Sequence, residues 1–102
     1  MKINVTPTAR ISLKKIILFL KTRWTQREID LLKSDIKKFR QTIKEGIIVH
    51  QSLGKFPHIR FALIAKKQVK ILYEIKEDSV LIKLFWHCKQ DPKKLKDLLS
   101  GD

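Results

Sequence analysis

An α+β domain, with an antiparallel sheet packed on a helical hairpin and a short helix at the C-terminus, is the architecture this sequence predicts. Three observations predict it. Apolar residues recur at helical spacing up to Gly46, alternation at period two runs from Arg60 to Cys88, and only turn-length links separate the alternating runs. At 102 residues, numbered 1–102, the chain has the size of one domain around one core.

Lys2 to Thr6 alternates polar and apolar side chains, with Ile3 and Val5 on one side, as a short strand does. Thr6-Pro7 reads as an N-cap followed by proline at the first helical position, where a missing N–H costs nothing. Leu13, Ile16, Ile17, Leu20 and Trp24 then recur at helical spacing, which predicts an amphipathic helix over 8–23. Thr25-Gln26-Arg27-Glu28 has the capping-box pattern and opens a second helix. Ile29, Leu32, Ile36, Phe39 and Ile43 share one stripe of it, and Gly46 is its natural stop. Because the loop between the helices is so short, they are expected to fold back as an antiparallel pair. Residues 47–59, with Gly54 and Pro57, read as a connection in which Ile47, Ile48 and Val49 point to partial burial. His50 and His58 lie in it with no role assigned. Arg60–Ala65, Val69–Ile75 and Val80–Cys88 are strand-like, and the short links 66–68 and 76–79 make them an antiparallel meander. Asp91-Pro92 repeats the cap-then-proline signal, and Leu95, Leu98 and Leu99 predict a brief C-terminal helix.

Lys and Arg number 23 against 10 Asp and Glu, a formal net charge of +13. Such a surface is drawn to nucleic acid or to an acidic protein, although it also serves solubility. Cys88 is the one cysteine, so neither an intrachain disulfide nor a cysteine-based zinc site can form, and a reducing cytoplasm fits. The N-terminus lacks a signal-peptide apolar core and the ILFL run at 17–20 is too short to span a bilayer, so a cytoplasmic protein without membrane contact is expected. The sequence has no Gly-rich phosphate loop, no pair of carboxylates placed for acid and base work, and no His/Cys/Asp cluster at metal spacing. No cofactor and no metal are expected.

Alternation places Val69, Ile71, Tyr73 and Ile75 on one face of the middle strand, and Val80, Ile82, Leu84 and Trp86 on the same face of the last, for the helices to cover. The opposite face then carries Lys70, Leu72, Glu74, Leu81, Lys83, Phe85 and His87, together with Arg60, Ala62 and Ile64. Its mix of apolar and basic side chains suits a partner that brings both negative charge and hydrophobic groups, with Leu72, Leu81, Lys83 and Phe85 as the contacts. A C-terminal helix folded over the apolar part would instead leave the lysines solvated. His87 and Cys88, adjacent in a strand, point to opposite faces and cannot act as nucleophile and base. His87 alone can exchange a proton near neutral pH, with Arg60, Lys70 and Lys83 placed to stabilise charge on a phosphate. Lys33, Lys37, Arg40 and Lys44 form a basic stripe about 100° round the second helix from its apolar one.

Thr6, Pro7 and Ala9 after a first strand, two helices, Phe56-Pro57, the run ILYEI at 71–75 and the closing His87, Gln90, Asp91 and Pro92 together resemble the RelE/ParE superfamily of bacterial type II toxins, in particular its ParE-like or plasmid-stabilisation branch. The resemblance covers nearly the whole chain in element order. It implies a β-α-α-β-β-β domain with an antiparallel sheet, a growth-inhibiting toxin neutralised by a cognate antitoxin with an acidic amphipathic segment. Two activities occur in that superfamily: RelE-like members cleave mRNA on the ribosome, and ParE-like members inhibit DNA gyrase. Arg60, Lys70 and His87 fall where the nucleases have useful groups. Lys70 stands where the best nucleases carry arginine, and no tyrosine follows His87; lysine lacks the fork that fixes a phosphate. Those departures, with the DPKKLKDLL extension, favour the ParE-like reading over a ribosome-dependent mRNA endonuclease or a non-toxic basic nucleic-acid-binding module.

Overall fold

Thr6 is where the first strand becomes the first helix. β1 (Lys2–Val5) ends there and α1 (Pro7–Leu20) begins, the Thr6 hydroxyl accepting from the Ala9 N–H at 3.0 Å with proline in the first turn. The same hydroxyl donates to the Lys83 carbonyl at 3.1 Å, tying the corner to a distant strand. The computed structural model describes residues 2–47, 50–90 and 92–100. α2 (Gln26–Lys44) starts at the expected capping box, in which Glu28 accepts from the Thr25 N–H at 3.3 Å. It stops before Gly46, whose φ of +78° is a conformation glycine adopts freely. Ile29, Leu32, Phe39 and Ile43 are buried and Ile36 is half-buried, so the predicted stripe is the one that faces inward.

Four strands follow: β2 (Ser52–Leu53), β3 (Phe56–Ile64), β4 (Val69–Lys76) and β5 (Ser79–His87). They pair antiparallel in sequence, and β1 joins beside β5 in parallel, giving a five-stranded mixed sheet in the order β1-β5-β4-β3-β2. The expected antiparallel meander is present; the two helices carry the chain across the sheet so that β5 returns alongside β1 in the same direction. β2 is an addition, formed inside the segment expected to be a connection. α3 (Pro92–Ser100) is the predicted C-terminal helix. Asp91, its expected cap, and Ile48 and Val49 lie outside the described residues, while Ile47 is exposed. Among the described residues no helix is long and apolar enough to cross a membrane.

Apolar side chains gather on both faces of the sheet. Leu32, Phe39 and Ile43 of α2 and Ile16 and Leu20 of α1 share one core with Ala62, Ile64, Ile71, Tyr73, Ile82 and Phe85. Leu95 and Leu99 of α3 share the other with Ile59, Leu72, Leu84 and Trp86. A bulge decides which β5 residues go where. Leu72 pairs with Leu84 but Tyr73 pairs with Ile82, which leaves Lys83 as an extra residue in β5. Up to Ile82 the expected faces hold, and beyond Lys83 every side chain changes sides. Leu84 and Trp86 therefore sit under α3 rather than the hairpin, and Phe85 joins the helix-side core instead of the opposite face. Ala62 and Ile64 also lie on the helix side, because the β3–β4 register sets Arg60 opposite Tyr73 and Ala62 opposite Ile71.

Candidate functional site

Thr8, Ile11, Lys15, Phe19 and Arg23 follow each other at steps of three and four, so they form one edge of α1 and its C-terminal turn. This edge lines a groove of about 1000 Å³, with Phe85 and His87 at the end of β5 beneath it and Lys94 and Leu98 of α3 across it. Lys15, Arg23, Lys89 and Lys94 border the groove, and no Asp or Glu among the described residues does. Ile11, Phe19 and Leu98 remain about half exposed there, at 56%, 50% and 45%.

His87 sits in the wall with 5% of its surface exposed. Its own N–H donates to Gln90 Oε1 at 3.1 Å, and its Nδ1 accepts from the Lys89 N–H at 3.4 Å. With Nδ1 accepting, the proton of the neutral ring belongs on Nε2, a buried donor with no partner among the described residues. The ring meets Phe19 edge to face at 6.1 Å, and the Arg23 guanidinium lies over the other aromatic at 4.2 Å from its centroid. Burial holds the His87 pKa below the usual histidine value, and the positive charges of Lys89 and Arg23 push it the same way.

A second cluster lies under α2. His50 Nδ1 is 2.6 Å from the Tyr73 hydroxyl, Arg60 donates to the His50 carbonyl at 2.5 Å, and Phe39 packs against both rings at 5.6 and 5.3 Å. Burial lowers the His50 pKa, with Arg60 adding to it, and burial raises that of Tyr73, which has no exposed surface.

The residues proposed to work on a phosphate do not converge. Arg60 points to the helix side, engaged by His50, whereas Lys70 lies on the α3 side with its Nζ 5.1 Å from the Phe61 ring centroid. Arg60 is opposite Tyr73 and His87 opposite Val69, four residues further along β4, a separation of about 13 Å along the strand with two strand spacings added. The expected partner face is also divided. Leu72 is fully buried beneath α3 and Phe85 lies on the helix side, while Leu81 and Lys83 stay half-buried, Lys83 reaching Glu74 at 3.7 Å. Lys33, Lys37, Arg40 and Lys44 are exposed as the sequence implied. The groove itself was not visible in the sequence, because it depends on the bulge and on where α3 docks. The His50–Tyr73 pair had one signal: a tyrosine in a buried strand needs a partner for its hydroxyl.

No protein-family model and no curated protein matches the sequence. Among solved structures, a copper-bound mutant toxin from Helicobacter pylori matches with a TM-score of 0.59, covering 86% of this chain and 94% of its own at 15% identity. The chain shares the fold of that toxin structure. A solution structure of a conserved hypothetical protein from Helicobacter pylori matches with a TM-score of 0.53 at 17% identity, over 88% of this chain and 97% of that one. At such identities the likeness is one of fold. The copper belongs to the mutant toxin; among the described residues of this chain, no three His, Cys, Asp or Glu side chains come together to hold a metal ion.

Proposed function

We propose that the chain is the toxin of a type II toxin–antitoxin pair, inhibiting growth by binding a macromolecular target such as DNA gyrase and held in check by an antitoxin. The fold shared with a toxin structure supports the general reading. The observation that carries the choice of mechanism is the division of Arg60, Lys70 and His87 between two faces of the sheet. Phosphodiester cleavage needs a proton-transfer group and a charge-stabilising group within hydrogen-bond reach of one phosphate. Here Arg60 is engaged with a loop carbonyl and Lys70 lies behind the sheet. A binding toxin needs only surface, and exposed basic and apolar side chains supply it. Expression of the chain alone in bacteria is expected to arrest growth, and purified protein to inhibit gyrase supercoiling without cutting mRNA on translating ribosomes. Codon-positioned cuts abolished by Arg60→Ala or His87→Ala would establish the endonuclease instead. Normal growth at full expression of folded protein would leave a basic nucleic-acid-binding module.

A further inference from the structure

We propose that the exposed stripe of Lys33, Lys37, Arg40 and Lys44 on α2 seats the phosphate backbone of a nucleic-acid double helix, without reading its sequence. Such a seat is independent of the toxin reading and of the groove along α1, which no described residue of α2 lines.

Position is the first ground. Steps of four, three and four residues keep the four cations within about 60° of the helix circumference and spread them over about 16 Å. A double helix sets about five phosphates of one strand along that length. The second ground is where the nearby carboxylates go. Asp30 accepts from Gln26 at 2.9 Å, Glu45 from Gln41 at 3.1 Å and Asp35 from the Ala65 N–H at 2.9 Å. Among the described residues, no carboxylate pairs with Lys33, Lys37 or Arg40. Each cation therefore has a like charge one turn away, a repulsion that weakens the helix and that a row of anions relieves. The third is chemical character. Between Leu31 and Ile47 no exposed side chain of α2 is apolar, so an amphipathic protein segment finds no apolar strip to land on. Single-stranded nucleic acid binds by stacking its bases on aromatic rings, and Phe39, the aromatic of α2, is buried. A duplex keeps its bases stacked inside and offers a dense, regular row of phosphates, which cations alone can hold.

The test uses the full chain and labelled duplexes of about 20 base pairs, DNA and RNA, read by fluorescence anisotropy in rising salt. The tighter of the two identifies the source of the phosphates. For DNA, Lys37→Gln with Arg40→Gln is expected to lower the log–log salt slope by about 1.8 and the affinity at about 0.1 M salt more than tenfold. Two DNA duplexes of unrelated sequence should bind within about twofold of each other, since no base is read. Lys55→Gln with Lys96→Gln removes the same charge from exposed positions elsewhere and should leave slope and affinity nearly unchanged. The melting temperature of the stripe variant should hold or rise, because a like-charge pair is gone, so lost binding is not lost folding. Equal losses from both variant pairs would mean diffuse attraction to the net charge and overturn the proposal. So would an unchanged slope in the stripe variant, no duplex binding at all, or tighter binding of a single strand of the same length. A larger loss from Lys15→Gln with Lys94→Gln would place the phosphates in the groove instead. Phosphatidylserine vesicles that bind through the stripe while both duplexes fail would make it a membrane contact, and overturn it as well.

Discussion

His87 and His50 are each held neutral by burial, helped by Lys89 and Arg23 at the first and by Arg60 at the second. The unfolded chain protonates both near the ordinary value of 6.5, so below that point it takes up more protons than the native one. Stability is therefore expected to be full above about pH 7 and to fall as pH drops through about 6.5 toward the depressed native values. Urea midpoints measured from about pH 7.5 down to 5 check this, and His87→Leu should flatten the slope. A flat profile would mean that neither imidazole is held neutral. Tyr73→Phe removes the hydroxyl that meets His50 Nδ1 and leaves that part-buried nitrogen without its protein partner. The expected loss is about 1–2 kcal/mol in urea unfolding; no change would mean water replaces the hydroxyl. At this scale the sequence showed Tyr73 facing the helices, but not which of the three histidines it meets, since that depends on how residues 50–51 cross back over the sheet.

Phe39 and Lys37 are two residues apart on α2 and have opposite surroundings, 5% exposed against open solvent. Phe39→Ala is expected to cost about 3–5 kcal/mol, a large share of what holds a domain of this size, and Lys37→Ala less than about 0.5 kcal/mol. Thermal melts distinguish them, and equal small effects would mean the helix faces another way. Thr6→Val tests the corner, since one hydroxyl caps α1 and also donates to the carbonyl of the bulged Lys83. Its loss is expected to lower stability by about 1–2 kcal/mol, more than a cap on an isolated helix, and Thr6→Ser should restore most of it. Both helices, their caps and the three long strands were legible because each is specified by residues close in sequence. The phase of β5 was not. Two-residue alternation reads the same on either side of Lys83, and only pairing with β4 reveals the inserted residue.

For the molecule as a whole, the charge of +13 and the half-exposed apolar groups predict how a partner lets go. Co-expression with the product of the neighbouring gene is expected to restore growth and to yield a complex that survives salt near 1 M, because buried apolar contacts are not screened while exposed ion pairs are. Gel filtration in rising salt measures it, and steep dissociation would identify a contact made through charge alone, as with phosphates. The sequence by itself determined the α+β class, the order of the main elements, the inward stripe of α2 and the basic surface, since periodicity, caps and charge are local properties. Tertiary structure decided the rest. The β3–β4 register set Arg60 on the face opposite Lys70, the bulge at Lys83 carried His87 off the face of Lys70, and the docking of α3 buried Leu72 and closed one side of a groove along α1, because which face a strand residue joins is fixed by its neighbours across the sheet.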